Sequence, residues 1–127
     1  MAQTGDRGSL AVELSILFPL VLALTLGGVQ VAMWFQARSM CHAAAQAGVR
    51  AARVLDAPTD AGRSAARGYL TSTAGDTVLA PAVAQQTTPT TVSVTCIGTA
   101  ERVIPIPGLA IRVRQSASAR RERFTTP

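Results

Sequence analysis

The sequence predicts an α+β membrane protein: a long N-terminal helix, transmembrane first and amphipathic later, then a short second helix and a small antiparallel sheet of two or three strands. Three observations carry this reading. The window from Leu14 to Ala37 holds no charged residue over its 24 positions, more than the roughly 20 residues needed to cross about 30 Å of hydrocarbon. A stripe of mostly small residues, Ala37, Cys41, Ala44, Gly48, Ala51 and Leu55, then recurs at helical spacings of three and four. From Val92 the period falls to two, with Val92, Val94 and Cys96 alternating with Ser93 and Thr95, as a half-buried strand requires.

Taken in order, residues 1–8 form a short polar leader and 9–36 the transmembrane segment. A cleaved secretory signal has an apolar core of only about 7–15 residues, and this run is longer and continues into a helical pattern. Pro19 lies inside it and removes one backbone hydrogen bond, a kink that membrane helices tolerate. Gly27 and Gly28 add a second soft point, and Trp34 and Phe35 sit at the far end, where aromatic rings favour the headgroup zone. The simplest course is one helix from about Leu10 to Leu55, about 70 Å long at 1.5 Å per residue, with Pro58 ending it. Residues 37–127 form the domain outside the bilayer, beginning with the helix continuation at 37–57. A second helix over 59–70 follows, with Thr59 or Asp60 as cap and Ala61, Ala65, Ala66 and Leu70 facing inward. Residues 71–91, rich in Thr, Ala, Pro and Gln, read as a flexible loop with a turn around Pro81. The strands fall within 92–124: one from Val92, one from Ile111, and a short edge piece at Val103–Ile106 limited by Pro105 and Pro107. Laid against the Ala-rich face of the long helix, they would bury both apolar faces.

Composition narrows the function classes. Apolar residues make up 48% of the 127 residues but aromatic ones 4%, so close packing through small side chains is expected rather than a thick core. No lysine is present, and every one of the 12 basic residues is an arginine, against 7 acids. Five of these, Arg112, Arg114, Arg120, Arg121 and Arg123, gather near the C-terminus. Arg112 and Arg114 share one strand face and read as a solvated surface. Nucleic-acid recognition is not expected, since the tail offers only Phe124 for stacking. No catalytic motif of the familiar kinds is present, so no enzymatic activity, cofactor or small-molecule substrate is expected. His42 beside Cys41 lacks the further ligands of a tetrahedral metal site.

The most informative residue is Glu13, an ionisable group at the edge of an apolar span and by default a functional candidate. Reading back from it gives Gly8-Ser9-Leu10-Ala11-Val12-Glu13, preceded by Asp6 and Arg7 in the polar leader. This resembles the prepilin cleavage motif, with the cut between Gly8 and Ser9 and Glu as the fifth residue of the mature chain. The wider run RGSLAVELSILFPLVLALTLGGVQ is similar to the TadE-like family of tight-adherence pilus assembly proteins, through the Gly-x-x-x-x-Glu segment, the early Pro and the continuation into an Ala-Arg-rich helix. The similarity covers residues 5–55. It implies a non-enzymatic pseudopilin or minor pilin of a type IV-related pilus or secretion system, with Glu13 acting in assembly. Its partners would be membrane lipid, a prepilin peptidase, other pilin-like subunits and the pilus assembly machinery.

Processing requires a cytoplasmic leader, which places the C-terminal domain outside the cell membrane. The bias of basic residues toward the cytoplasm, counting Arg7 against Arg38, Arg50 and Arg53, favours the opposite orientation. The processing motif takes precedence, because the bias is statistical and other signals override it. Cys41 and Cys96 are the only cysteines, and a small exported domain gains from a link between them, worth roughly 4 kcal/mol on the chain-entropy model. Two buried free thiols are the alternative. The competing function is a simple single-pass membrane anchor or scaffold protein that is not processed, with Glu13 a snorkelling residue near the headgroups.

Overall fold

The computed structural model describes residues 6–123, with side chains from Gly8 onward. The first five leader residues and Phe124 lie outside the described residues. Helix α1 runs from Asp6 to Ala52, 47 residues, about 70 Å at the helical rise. Helix α2 spans Ala61–Tyr69 and continues through a wide turn at Leu70–Ala74 and a tight one at Gly75–Thr77. Strands β1 (Val78–Thr87), β2 (Thr91–Ala100) and β3 (Arg112–Arg120) form an antiparallel meander in the order β1-β2-β3. The sheet and α2 pack on the C-terminal half of α1, and the N-terminal half stands clear of them. The α+β class and the small antiparallel sheet are as the sequence predicts, with the third strand, β1, drawn from the segment expected to be a loop.

Alternation on β2 and β3 sets the inner face of the sheet. Val92, Val94, Cys96 and Ala100 of β2 and Val113 of β3 are buried, while Ser93, Thr95 and Ile97 pair across the other face with Ser118, Ser116 and Arg114. Against the inner face α1 presents Ala37, Cys41, Ala44, Ala45, Val49 and Ala52, all buried. The stripe drifts by one position at its end, so that Ala52 rather than Ala51 is buried, because 3.6 residues per turn do not hold a strict alternation of three and four. The crossing of α1 and α2 depends on glycine. A Cβ added at Gly48 would lie 2.6 Å from the Gly62 carbonyl oxygen and 2.9 Å from Val94 Cγ1.

Four boundaries differ from the sequence expectation. The flexible loop assigned to 71–91 is instead the end of α2's continuation followed by β1, an edge strand. Its period is interrupted by a bulge between Leu79 and Ala82, where Ala80 takes φ 47° before Pro81. That interruption hides the alternation, and bulges at sheet edges accommodate proline. The edge piece expected at Val103–Ile106 is not a strand: its amide groups bond to a helix side chain, described below. Helix α1 stops at Ala52, short of Leu55 and of residue 57. The Glu122 N–H donates to the Arg53 carbonyl at 3.0 Å and Asp56 turns the chain with φ 59°, so the end is set by the tail after β3 rather than by Pro58. Helix α2 begins two residues later than Thr59, at Ala61, with Asp60 at its cap.

Candidate assembly and membrane-facing site

The motif read from the sequence lies on a continuous helix. Gly8, Ser9 and Glu13 are all helical and exposed. Ser9 and Glu13 are four residues apart and therefore share a face, with Cβ atoms about 5–6 Å apart by helix geometry. At Gly8 glycine disfavours the helix by about 1 kcal/mol relative to alanine. Among the described residues Glu13 makes no ion pair; the pair formed is Arg53–Glu122, 3.7 Å apart and about half exposed on both sides.

Beyond Glu13 every large apolar side chain from Leu14 to Leu24 is exposed. Helix α1 is long and apolar enough to cross a membrane, and none of its most apolar window is buried by the chain itself. Its polar groups are arranged for such surroundings. Ser15 and Thr25 hydroxyls donate to the Ala11 and Val21 carbonyls at 2.8 Å, satisfying themselves within the helix. Pro19 lies inside α1 without ending it. Trp34 carries the Arg38 guanidinium 5.6 Å from its ring centroid, a pairing suited to a headgroup boundary. On the side away from the sheet, Gly28, Val31, Ala32 and Phe35 line an open apolar groove of about 550 Å³.

Sequence reasoning missed Gln30. It is 7% exposed, buried although it lies inside the uncharged window. Its Nε2 donates to the Glu101 carbonyl at 3.1 Å, and its Oε1 accepts from the Val103 and Ile104 amides at 2.8 and 3.4 Å. A glutamine among aliphatic residues was a visible signal; its partners, more than 70 positions away, were not.

Higher on α1, Cys41 and Cys96 form a disulfide between helix and central strand, with Cα atoms 5.4 Å apart. Next to Cys41, His42 is exposed and its Nε2 meets Gln46 Nε2 at 2.9 Å. At the end of the domain far from the apolar helix, Arg120, Arg121 and Arg123 border a shallow cavity with Thr90 and Thr91. Arg123 donates to the Pro89 carbonyl at 2.7 Å, which spends part of this cluster on holding the β1–β2 turn. The outward direction of Arg112, Arg114 and Arg120 on β3 gives them the solvated face expected.

The architecture defines a class: a small α+β domain, locked by a disulfide to the end of one long helix whose free half fits a bilayer and begins with a Gly-to-Glu motif. Within that class, residues 8–50 match the family model described as TadE-like protein. The resemblance read from the N-terminal motif is therefore met over 43 of 127 residues, from Gly8 to Arg50 and short of the sheet. No curated protein and no solved structure matches the chain.

Proposed function

We propose that this chain is a non-enzymatic pseudopilin or minor pilin that takes part in assembling a tight-adherence pilus or related secretion system. A prepilin peptidase removes the leader between Gly8 and Ser9. The mature chain rests in the cell membrane with its N-terminus cytoplasmic and residues 37–127 outside. The observation that carries this reading is Glu13, exposed on the apolar half of α1, one turn from Ser9 and at the start of the segment matched by TadE-like proteins. The disulfide supports the placement of the domain, because such bonds persist in oxidising compartments.

Glu13 acts in assembly by pairing with the new α-amino group on Ser9 of an adjacent subunit. Inside hydrocarbon neither charge is tolerated alone, and their meeting recovers much of the desolvation cost. The pair also fixes axial register, which Leu, Val and Ala faces leave free to slide. Since Ser9 and Glu13 share a face, the carboxylate can hold its own chain's amine before a neighbour replaces it. The test is Glu13→Gln, which keeps shape and removes charge. Membrane insertion and leader cleavage should be normal, with incorporation into the assembled complex reduced about tenfold or more, the equivalent of about 1.4 kcal/mol. Assembly equal to that of the parent chain would sink the pairing.

A further inference from the structure

Strand β2 runs down α1 toward its apolar half: Cys96 is bonded to Cys41, and five residues later the Glu101 carbonyl meets Gln30. The segment that follows, Glu101 to Ala110, is therefore delivered to the level of the membrane span. Counting twenty residues of hydrocarbon from Leu14 ends at Met33, and Gln30 lies about 4.5 Å below that level. From Val103 onward, past the exposed Glu101 and Arg102, the segment meets most of its amide hydrogen bonds within the chain. Pro105 and Pro107 have no amide hydrogen. Of the six remaining amides from Val103 to Ala110, five donate within the chain: Val103 and Ile104 to Gln30, Ile106 to the Ile104 carbonyl, Leu109 to Ile106 and Ala110 to Gly108. A loop facing water has no need of such accounting, whereas backbone in lipid does. Yet two of its three largest aliphatic side chains are left outside: Ile106 is 48% and Leu109 41% exposed.

We infer that the Glu101–Ala110 loop is a second membrane-contacting element, which inserts Ile106 and Leu109 into the leaflet, on the side of the folded domain, of the bilayer that α1 crosses. The inference rests on α1 being a membrane span but not on the pilin role. The occupant of this surface is lipid because Gln30 holds the loop against α1 within the span, at the level of the exposed Val29 and Val31. Arg102, exposed at the base of the loop, donates from Nη1 to the Ile106 carbonyl at 3.4 Å and so satisfies one of the loop's acceptors. Gln30 is then a depth marker: it holds the loop against the helix and fixes how far the domain sinks.

The test places a fluorescent label on a single added cysteine, in the full chain with its disulfide intact, in liposomes of phosphatidylcholine and phosphatidylglycerol. The positions are Ile106→Cys, Leu109→Cys, Leu22→Cys in mid-span and Ser93→Cys on the outer sheet face. Labels at 106 and 109 should be quenched by lipids bearing a shallow spin label about fivefold more strongly than by an aqueous quencher, and the label at 22 by a deep one. Water-exposed labels at 106 and 109 beside a lipid-quenched label at 22 overturn the loop insertion and leave the span standing. Labels at 106 and 109 reached by neither quencher mean that protein, such as a second copy, covers the loop, which also overturns it. Aqueous quenching at position 22 overturns both the span and the inference.

Discussion

The two halves of α1 are equally regular and each has an apolar face, but they solve different problems. From Leu10 to Val29 the side chains are mainly Leu, Val, Ile and Phe, and all of these are exposed. From Ala37 to Ala52 the inward side chains are Ala, Cys, Gly and Val, and nearly all are buried. Charge separates the halves, with Arg38 and Arg50 confined to the second, and side-chain size on the apolar face separates them again. Large aliphatic residues offer area to lipid tails, which fill any shape. Small ones let a sheet and a second helix approach closely enough to exclude solvent from a domain with few aromatic residues.

The largest expected break in this contrast comes from the covalent link. Replacing Cys41 and Cys96 together by Ala should destabilise the domain by about 4 kcal/mol at most on the chain-entropy model, and leave the helicity of the apolar half unchanged. Thermal unfolding followed by near-ultraviolet circular dichroism in detergent, beside far-ultraviolet signal from the helix, measures both. A comparable effect confined to packing is expected from glycine. Gly48→Val should cost about 3 kcal/mol or more, because its Cβ alone would press on the Gly62 carbonyl and Val94. Gly28→Val, with nothing within 4 Å of the added Cβ, should leave domain stability within about 0.5 kcal/mol. Equal losses for the two glycines would erase the distinction between the halves.

A smaller and more selective effect sharpens the boundary between them. Gln30→Leu leaves the Val103 and Ile104 amides and the Glu101 carbonyl without their partner, an expected loss of about 2 kcal/mol. Gln36→Leu, two turns on and exposed, should be near neutral. Hydrogen exchange at Val103 and Ile104 reads the first change directly, with protection lost in Gln30→Leu alone.

How much of this was legible beforehand follows the same division. The span, the small-residue face and strands β2 and β3 announce themselves because each keeps one local period over many residues. Strand β1 does not, since the Ala80–Pro81 bulge and its Ala and Gln content break the alternation, and its place is fixed by pairing with β2. The Val103–Ile106 segment carries strand-like residues, but its amides are claimed by Gln30 from far along the chain, which no local pattern reveals. The helix end at Ala52 was misplaced for a related reason: a backbone contact from Glu122 sets it. At the candidate site, Gly8, Ser9 and Glu13 stand out through their resemblance to the prepilin cleavage motif, whereas the burial of Gln30 requires the fold.

Removal of the leader is the step on which the proposed assembly role turns, because that proposal pairs Glu13 with an amine that exists only once the chain is cut. Intact-mass measurement of the protein extracted from membranes of cells that contain a prepilin peptidase tests this most directly. The account predicts a chain that has lost Met1 to Gly8 and begins at Ser9. A chain that retains its first eight residues in those cells contradicts it and leaves a simple membrane anchor in its place.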